Sequence, residues 1–293
     1  MMIERLAVIG VGLIGGSLAR ALRAAGEVGE VVGCGRSRAN LEKAVELGVI
    51  DRFSHDAGEA VDGADMVFVA VPLGAMRGIF EVIHGRLAGD AVLTDGGSVK
   101  GSVIADAAAA FGEVPPGFVP GHPIAGTENS GVEASFPELY QQRRVILTPV
   151  EQTDPEAVER VGSMWRACGA EVTHMHPDHH DEILAATSHL PHMLAYSLVD
   201  SLARMKENDE IFRYAAGGFS DFTRIASSNP VMWRDICLAN RGPLREILKR
   251  FANELHDLAA ALDAGDGERL LTIFERAKAA RDRYAGTRGK EKG

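Results

Sequence analysis

A glycine-rich turn near the N-terminus constrains the possible folds of this chain more than any other feature. Residues 10–15 read GVGLIG; they directly follow the apolar run Leu6–Ile9 and open a helical stretch that continues to about Ala25. Glycines permit the tight turn and let backbone N–H groups approach a pyrophosphate at the N-terminus of the helix. In this strand–turn–helix context the motif predicts dinucleotide binding rather than a glycine turn without a ligand. The predicted cofactor contacts are Gly10, Gly12, Leu13, Ile14 and Gly15.

The first half of the chain continues as alternating strands and helices. Apolar runs without polar alternation are typical of parallel strands that are covered on both faces. The alternation predicts a doubly wound, Rossmann-type α/β sheet. The predicted strands after the first are Val31–Cys34, Met66–Val71, Ala91–Thr94, Phe118–Pro120, Val145–Pro149 and Glu171–Met175, with helices at 41–46 and 155–168.

After His176 the pattern predicts helices and no strand. The expected helices cover about 178–205, 230–240, 243–264 and 266–284, with breaks at Gly217-Gly218 and Asn229-Pro230. We therefore predict two domains: a dinucleotide-binding domain at residues 1–176 and an all-α domain at residues 177–293. These helices carry more apolar positions than one layer over a sheet requires, so we expect a homodimer built through them.

Composition and charge exclude several classes of protein. A formal net charge of −10 disfavours a nucleic-acid partner. No apolar run approaches the roughly 18 residues that a membrane span needs. Three widely spaced cysteines, Cys34, Cys168 and Cys237, favour a reducing compartment over a disulfide framework. The first strand begins too close to Met1 for a signal peptide, so we expect a cytoplasmic protein.

The end of the second strand bears on the choice of cofactor. An acidic residue at this point binds the free ribose hydroxyl of NAD, whereas arginine favours the 2′-phosphate of NADP. The sequence here is GCGRSR, without Asp or Glu, and it offers Arg36, Ser37 and Arg38 as cofactor ligands. We therefore expect an NAD(P)+ enzyme that favours NADP+ over NAD+; the alternative is that both arginines are solvated loop charges.

Four clusters of polar residues could carry chemistry. A histidine can accept a hydroxyl proton and an arginine can hold a carboxylate, which together suit hydride removal from an alcohol. The clusters are DGGSVK at 95–100, HPIAGTE at 122–128, TSHLPH at 187–192, and GGFSDFTR at 217–224 followed by MWRD at 232–235.

Each candidate also has a structural interpretation. His122 could be an ordinary loop histidine between turn-forming residues, and His189 and His192 could cap or pack a helix beside Pro191. Arg224 could form a structural ion pair with Asp221. A further group, His174, His176, His179 and His180, is divided by Pro177 and lacks a matched metal-ligand spacing, so we predict no metal site.

Together the motifs resemble the prephenate/arogenate (cyclohexadienyl) dehydrogenase family along essentially the whole chain. The resemblance implies a Rossmann-type N-terminal domain, an all-α C-terminal dimerisation domain and an active site between them. It is carried by GVGLIGGS at 10–17, DGGSVK at 95–100, HPIAGTENSG at 122–131, SHLPH at 188–192, GGFSDFTRIA at 217–226 and MWRDI at 232–236.

The resemblance also implies roles for individual residues. His122 resembles the catalytic acceptor of the ring-hydroxyl proton and Ser98 the hydroxyl that supports it, while Arg224 matches the arginine that binds a substrate carboxylate. Other matches line the substrate pocket or support it: Thr127, His189, His192 and Asp221, with Trp233 approaching the partner subunit's site.

The implied reaction belongs to the biosynthesis of tyrosine, an aromatic amino acid. Prephenate and/or arogenate, both small cyclohexadienyl substrates, would be oxidatively decarboxylated to 4-hydroxyphenylpyruvate or tyrosine, with hydride transfer to NAD(P)+. One alternative is a β-hydroxyacid-type reductase, but its catalytic lysine has no recognisable counterpart at Lys206 or Lys249. Another is a non-catalytic NADP-binding sensor, which would need the glycine motif but not Ser98, His122 and Arg224 together.

Overall fold

The computed structural model describes residues 1–127, 129–206 and 208–290. Two compact units divide the chain, residues 1–244 and residues 245–293. The strands within the described residues are β1 (Ile3–Ile9), β2 (Val28–Cys34), β3 (Arg52–Ser54), β4 (Met66–Val69), β5 (Val92–Asp95), β6 (Phe118–Val119), β7 (Gly121–Pro123), β8 (Arg144–Leu147) and β9 (Glu171–His174).

The helices occur between these strands and then follow β9 without interruption by further strands in the described residues. They are α1 (Leu13–Ala25), α2 (Arg38–Glu46), α3 (Ala57–Val61), α4 (Leu73–Ile83), α5 (Lys100–Phe111), α6 (Pro155–Ala167), α7 (Pro177–Leu184), α8 (Leu190–Ala203), α9 (Asn208–Arg213), α10 (Gly217–Thr223), α11 (Pro230–Ala239), α12 (Arg241–Asp263) and α13 (Gly267–Lys290).

Strands β1 to β6 form one parallel sheet in the order β3-β2-β1-β4-β5-β6. This order confirms the predicted Rossmann-type fold. The direction of winding reverses between β1 and β4, and ligands of such sheets bind in the crevice beyond the carboxyl ends of the strands at that reversal. The glycine turn that follows β1 therefore lies where a dinucleotide is expected.

Strand β1 shows why its sequence lacks polar alternation. Leu6 and Val8 belong to a core with α1 and α6 on one face of the sheet, while Ala7 and Ile9 belong to a second core with α3, α4 and α5 on the other. All four side chains are at most 1% exposed. Burying a large aliphatic side chain contributes roughly 1.5–3 kcal/mol, so both faces of the strand stabilise the fold.

The later strands differ from the expectation of one continuous sheet. Strands β7, β8 and β9 form a separate three-stranded sheet in which β7 runs antiparallel to β8. His122 lies within β7 and pairs with Ile146, so the interpretation of His122 as an ordinary loop histidine was wrong. Pro120 has no N–H to donate to a ladder, and the chain leaves the first sheet at this residue.

The first helical stretch after β9 contains one widened turn. Helix α7 continues through a π-helical turn at Ala185–His189 into α8, so the predicted helix over 178–205 is present but not regular. Pro191 lacks an N–H, and its ring would clash with the carbonyl four residues earlier in a regular α-helix. The wide turn lies at this position, and such turns are frequent at functional sites.

The unit of residues 245–293 consists of most of α12 followed by α13. Gly265, with a φ of +67°, forms the left-handed turn between these two helices. Several large apolar side chains of this unit are about half exposed or more: Leu255, Leu262, Leu271 and Phe274. Among the described residues of the whole chain, no helix is both long enough and apolar enough to cross a bilayer.

Candidate active site

The glycine turn after β1 leaves room for a ligand at one position only. A Cβ at Gly10, whose φ is +102°, would lie 2.3 Å from the carbonyl oxygen of Ala70, and a Cβ at Gly15 would lie 2.3 Å from that of Gly10. A Cβ at Gly12 would meet no atom within 4 Å. Helix α1 begins at Leu13 and has no acidic side chain in its first turn. Its first N–H groups lack partners within the helix, so the turn fits a pyrophosphate.

The two arginines that follow β2 differ in their surroundings. Arg38 is paired with Glu42 on the helix surface, with Nε 2.8 Å from the carboxylate. Ser37 caps α2 by accepting a hydrogen bond from the backbone N–H of Asn40 at 3.3 Å. Arg36 is exposed and forms no hydrogen bond or ion pair with another described residue. Arg36 is therefore better placed than Arg38 to take an anionic partner.

A buried ion pair holds the carboxyl end of β5 against the start of β7. The Nζ atom of Lys100 donates to Asp95 at 2.5 Å and to the carbonyl oxygen of Gly121 at 2.6 Å. The backbone N–H of Gly121 donates to the other oxygen of Asp95 at 3.1 Å. Both charged side chains are fully buried. This clamp fixes the backbone immediately before His122.

His122 is the first of three buried groups linked by hydrogen bonds. Its Nδ1 atom lies 2.9 Å from Nε2 of His180, and Nδ1 of His180 lies 2.7 Å from a carboxylate oxygen of Asp181. The exposed fractions are 9% for His122 and 7% for Asp181, and the His180 side chain is fully buried. The Nε2 atom of His122 forms no hydrogen bond with a described residue, and it is not among the fully buried polar atoms without partners. It is therefore the ring nitrogen that a substrate can reach.

The electrostatics of this cluster keep His122 neutral and Asp181 ionised. Burial, together with the positive potential of His180, Lys100 and His189, lowers the pKa of His122 well below 6.5. Burial alone would raise the pKa of Asp181, but hydrogen bonds from His180 and from the backbone of Gly101 and Lys100 outweigh it and leave that pKa below its usual value. A neutral imidazole that is linked through a second ring to an ionised carboxylate is suited to accept a proton.

Asp181 also connects α7 to the helix that follows β5. Its carboxylate accepts hydrogen bonds from the backbone N–H groups of Lys100 at 2.8 Å and Gly101 at 2.9 Å. A carboxylate at the N-terminus of a helix is stabilised by those N–H groups and by the helix dipole. The cap therefore holds the histidine pair beside the DGGSVK loop that contains Ser98.

His189 is held by the side-chain amide of the residue that follows α11. The Nδ2 atom of Asn240 donates to the backbone oxygen of Asp181 at 2.8 Å and lies 3.0 Å from Nδ1 of His189. Since the Asp181 carbonyl can only accept, this contact fixes the orientation of the amide, and Nδ1 of His189 must accept as well. The hydrogen of the neutral ring is then on Nε2. Burial is the main cause that lowers the pKa of His189 to about 4.

His192, Trp233 and Arg224 are brought together beside His189. The rings of His192 and Trp233 stack with centroids 3.6 Å apart, and Nδ1 of His192 bonds the carbonyl oxygen of Ser188 at 2.8 Å. Burial and the nearby charge of Arg224 lower the pKa of His192, while the Ser188 bond opposes them. Trp233, at 8% exposure, contacts its own protomer here. Its approach to a partner's site stays a prediction.

Three other predicted site residues lie outside these contacts. Ser98 is partly buried, and no hydrogen bond among the described residues joins it to His122. Thr127 is exposed, and its hydroxyl accepts a hydrogen bond from the backbone of Asn129 at 3.2 Å. Asp221 is exposed on α10 and is not hydrogen-bonded to His189 or His192 within the described part of the chain. The roles of Ser98, Thr127 and Asp221 stay predictions.

Sequence reasoning missed His180, Asp181 and Asn240. His180 lies close in sequence to three other histidines, but His176 and His179 are exposed while His180 is buried. The missed signal is the helical spacing of the buried face of α7, residues 177, 180, 181 and 184. Two ionisable residues on a buried face need partners, which marks them for polar contacts.

The fold and the site define a class of protein. A Rossmann-type sheet with a pyrophosphate cradle, and a buried neutral histidine beyond the carboxyl ends of its strands, are the parts of a nicotinamide-dependent dehydrogenase. Models of the prephenate dehydrogenase nucleotide-binding domain and of the prephenate dehydrogenase dimerization domain match residues 18–174 and 176–276. The chain belongs to the prephenate dehydrogenase family of oxidoreductases.

Similar proteins cover nearly the whole chain. It is 38% identical over 282 residues to a cyclohexadienyl dehydrogenase of Zymomonas mobilis, covering 95% of both chains. It is 35% identical over 285 residues to a prephenate dehydrogenase of Bacillus subtilis, covering 95% of this chain and 76% of the relative. A crystal structure of prephenate dehydrogenase from Aquifex aeolicus, in complex with hydroxyphenyl propionate and NAD+, superposes with a TM-score of 0.89 at 37% identity and covers 96% of this chain and 98% of that one.

Proposed function

We propose that this protein oxidatively decarboxylates prephenate, arogenate or both, with hydride transfer to NAD(P)+, in the synthesis of tyrosine. The observation that carries the proposal is the state of His122. It is buried, its pKa is lowered by burial and neighbouring positive charge, and its Nε2 atom is the ring nitrogen left open. Such a group accepts a hydroxyl proton at neutral pH.

The residues of this chain supply binding, orientation and proton acceptance. The bound nicotinamide cofactor supplies the hydride acceptor, and the turn of Gly10, Gly12 and Gly15 with the first N–H groups of α1 would hold its pyrophosphate. We assign His122 to the ring hydroxyl and Arg224 to a substrate carboxylate. His192 and Trp233 stack on one another beside Arg224, and we assign both to the lining of the substrate pocket.

The remaining predicted residues complete the assignment. We infer that His189, which carries its hydrogen on Nε2, donates a hydrogen bond in the pocket. Ser98, Thr127 and Asp221 keep the supporting roles that the family resemblance implies. Loss of carbon dioxide makes the ring aromatic and favours the products, so the protein must chiefly align the substrate and accept its proton.

We further propose a preference for NADP+ over NAD+. The support is the absence of an acidic residue in the segment from Cys34 to Arg38 and the exposed position of Arg36. Ser37 and Arg38 are both engaged within or near α2, so Arg36 is assigned the 2′-phosphate contact.

One experiment tests activity, substrate and cofactor together. Initial rates are measured for prephenate and for arogenate, each with NAD+ and with NADP+, by the absorbance of the reduced nicotinamide. We expect turnover with at least one substrate and a higher kcat/KM with NADP+. Cofactor binding without turnover of either substrate would contradict the proposal and favour a sensor.

We also propose the division into a dinucleotide-binding domain at 1–176 and a helical substrate and dimerisation domain at 177–293. The two family models meet between residues 174 and 176, which supports this boundary.

The proposed assembly is a homodimer, supported by the half-exposed apolar side chains of α12 and α13, such as Leu262 and Phe274. Sedimentation at micromolar concentration should give a dimer mass, and a monomer would contradict the proposal. Three free thiols support the proposed cytoplasmic location.

A further inference from the structure

We propose that His180 and Asp181 form a positioning pair that fixes the tautomer of His122 and stabilises the charged His122 ring after Nε2 accepts the substrate proton. This inference rests on the proposed function and deepens it. The pair is not part of any motif that identified the family. It is carried by two short contacts between fully or nearly fully buried groups, His122 to His180 at 2.9 Å and His180 to Asp181 at 2.7 Å.

The tautomer follows from the order of donors and acceptors. The carboxylate of Asp181 already accepts hydrogen bonds from two backbone N–H groups, so it accepts from His180 as well and Nδ1 of His180 carries a hydrogen. The Nε2 atom of neutral His180 then has only a lone pair, and it must accept from Nδ1 of His122. The hydrogen of His122 is therefore on Nδ1, and its Nε2 atom holds the lone pair that a base requires.

The same arrangement stabilises the charge that forms during the reaction. In that step the substrate O–H bond breaks and the Nε2–H bond of His122 forms. The oxygen electron pair forms the new carbonyl as the C–H bond at the same carbon breaks and its hydride passes to the bound nicotinamide. His122 becomes an imidazolium in a buried site, which is costly without compensation. Its Nδ1–H then donates a charge-assisted bond to His180, and the negative charge of Asp181 lies one ring further along the same line.

The charged and titratable groups around the pair all come from neighbouring elements of the same unit. His122 on β7 faces Lys100 from α5 and His189 from the π-helical turn, and both disfavour its protonation. Asp181 on α7 is the acid that opposes them through His180. Asp95 is paired with Lys100 and neutralises that charge locally. The pair thus supplies the negative charge that the surroundings of His122 otherwise lack.

Two substitutions at His180 separate positioning from packing. In His180→Gln, the side-chain carbonyl can still accept from Nδ1 of His122, whereas in His180→Phe the ring volume is kept but no acceptor remains. We expect kcat to fall by about tenfold in His180→Gln and by roughly a hundredfold in His180→Phe, within the range of acid–base contributions. The KM values for substrate and cofactor should change little in both.

A third variant tests the acid and gives a signature that a structural role would not give. In Asp181→Asn the negative charge is lost, and the amide NH2 must face one of the two backbone N–H groups that the carboxylate accepts, so the contact to His180 is weakened. We expect kcat to fall further than in His180→Gln. Removal of the negative charge disfavours the imidazolium, so the acid limb of the residual activity should move to lower pH. His179→Gln on the same helix, where the side chain is 62% exposed, is the matched control and should behave as wild type.

A readout that does not depend on turnover separates this inference from the proposed function. Selective labelling with ¹⁵N-histidine distinguishes the protonated from the unprotonated ring nitrogen, and the His122 signals are assigned by comparison with His122→Asn. Wild type and His180→Gln should show His122 protonated at Nδ1, and His180→Phe should show a mixture of tautomers. If the wild type turns over neither substrate, the proposed function fails while the tautomer result still decides the pairing. Unchanged kcat and an unchanged His122 tautomer in a folded His180→Phe variant would overturn the inference.

Discussion

The cofactor cradle and the histidine cluster are built in different ways. The cradle consists of backbone groups from six consecutive residues, and Gly10 and Gly15 are required by close approaches of 2.3 Å between a hypothetical Cβ and a carbonyl oxygen. The cluster consists of side chains that are far apart in the chain. His122 and His180 are separated by 58 residues, and Asn240 and His189 by 51.

Because of this difference, we expect substitutions in the two sites to have different effects on kcat and on cofactor binding. A backbone cradle changes when its turn geometry changes, and its selectivity depends on the side chains at its margin, such as Arg36. The cluster depends on buried hydrogen bonds, where removal of one partner leaves another unsatisfied. We therefore expect substitutions in the cluster to lower kcat strongly. Substitutions at the margin of the cradle should have smaller effects, mainly on KM for one cofactor.

The largest effect is expected for His122→Asn. Asparagine has similar reach and polarity but cannot accept the proton, so kcat should fall by roughly 10²–10⁴. Cofactor affinity should stay near that of wild type, because the cradle is built from other residues. The acid limb of the wild-type pH–rate profile should lie below pH 6.5, since the pKa of His122 is lowered, and it should vanish in the variant.

Stopped-assay initial rates from pH 5 to pH 9 and cofactor titration by fluorescence measure these quantities. His256→Asn removes an exposed imidazole and serves as the control. If His122→Asn keeps most of its kcat or keeps the acid limb, the base lies elsewhere, and His189 or His192 must be tested next.

A smaller and cofactor-specific effect is expected for Arg36→Ala. A charge-assisted contact contributes roughly 1.5–3 kcal/mol, so KM for NADP+ should rise about tenfold or more while KM for NAD+ stays nearly unchanged. Arg38→Ala is the matched control and should have a smaller effect, because Arg38 is already paired with Glu42. An equal loss for both cofactors would mean that Arg36 stabilises the loop rather than the 2′-phosphate.

The expected effect of Arg224→Lys is about tenfold on substrate binding. A guanidinium can grip a carboxylate through two parallel hydrogen bonds, and a lysine ammonium cannot reproduce that geometry. The KM for the cofactor should not change, which would show that Arg224 affects the substrate site and not the cofactor cradle. Arg204→Lys, at the exposed residue that follows α8, provides the control, and an unchanged substrate KM in folded Arg224→Lys would assign Arg224 a structural role.

The smallest effect concerns the pH dependence of stability, tested with His189→Gln. The pKa of His189 is lowered to about 4 in the folded protein, against about 6.5 when unfolded. Below pH 6.5 the unfolded chain binds a proton that the folded protein does not, so stability falls with falling pH until about pH 4. Wild type should lose about 1 kcal/mol more than His189→Gln between pH 7.5 and pH 5.5. Urea unfolding at both pH values measures this, and equal losses would contradict a neutral buried His189.

The sequence predicts more of the fold than of the candidate active site. Helices α9 and α10 lie in a stretch where no helix was predicted, and α10 begins at the expected break, Gly217-Gly218. The parallel sheet, the glycine turn and the long helices after residue 176 follow from local patterns. The short elements β3, α3 and β7 did not, because they are only three to five residues long and carry no clear periodicity. The separate sheet of β7, β8 and β9 was also missed, since strand pairing depends on contacts between distant segments.

The sequence by itself determined the family and the cradle and singled out His122 as the proposed base, because the family resemblance and the glycine motif are properties of neighbouring residues. Only the tertiary structure decided which of the remaining histidines contacts His122. The packing of α7 against α5 buries His180 and directs Asp181 to two backbone N–H groups of α5. Protonation state depends on burial and on partners that are distant in the chain, so local spacing cannot reveal it.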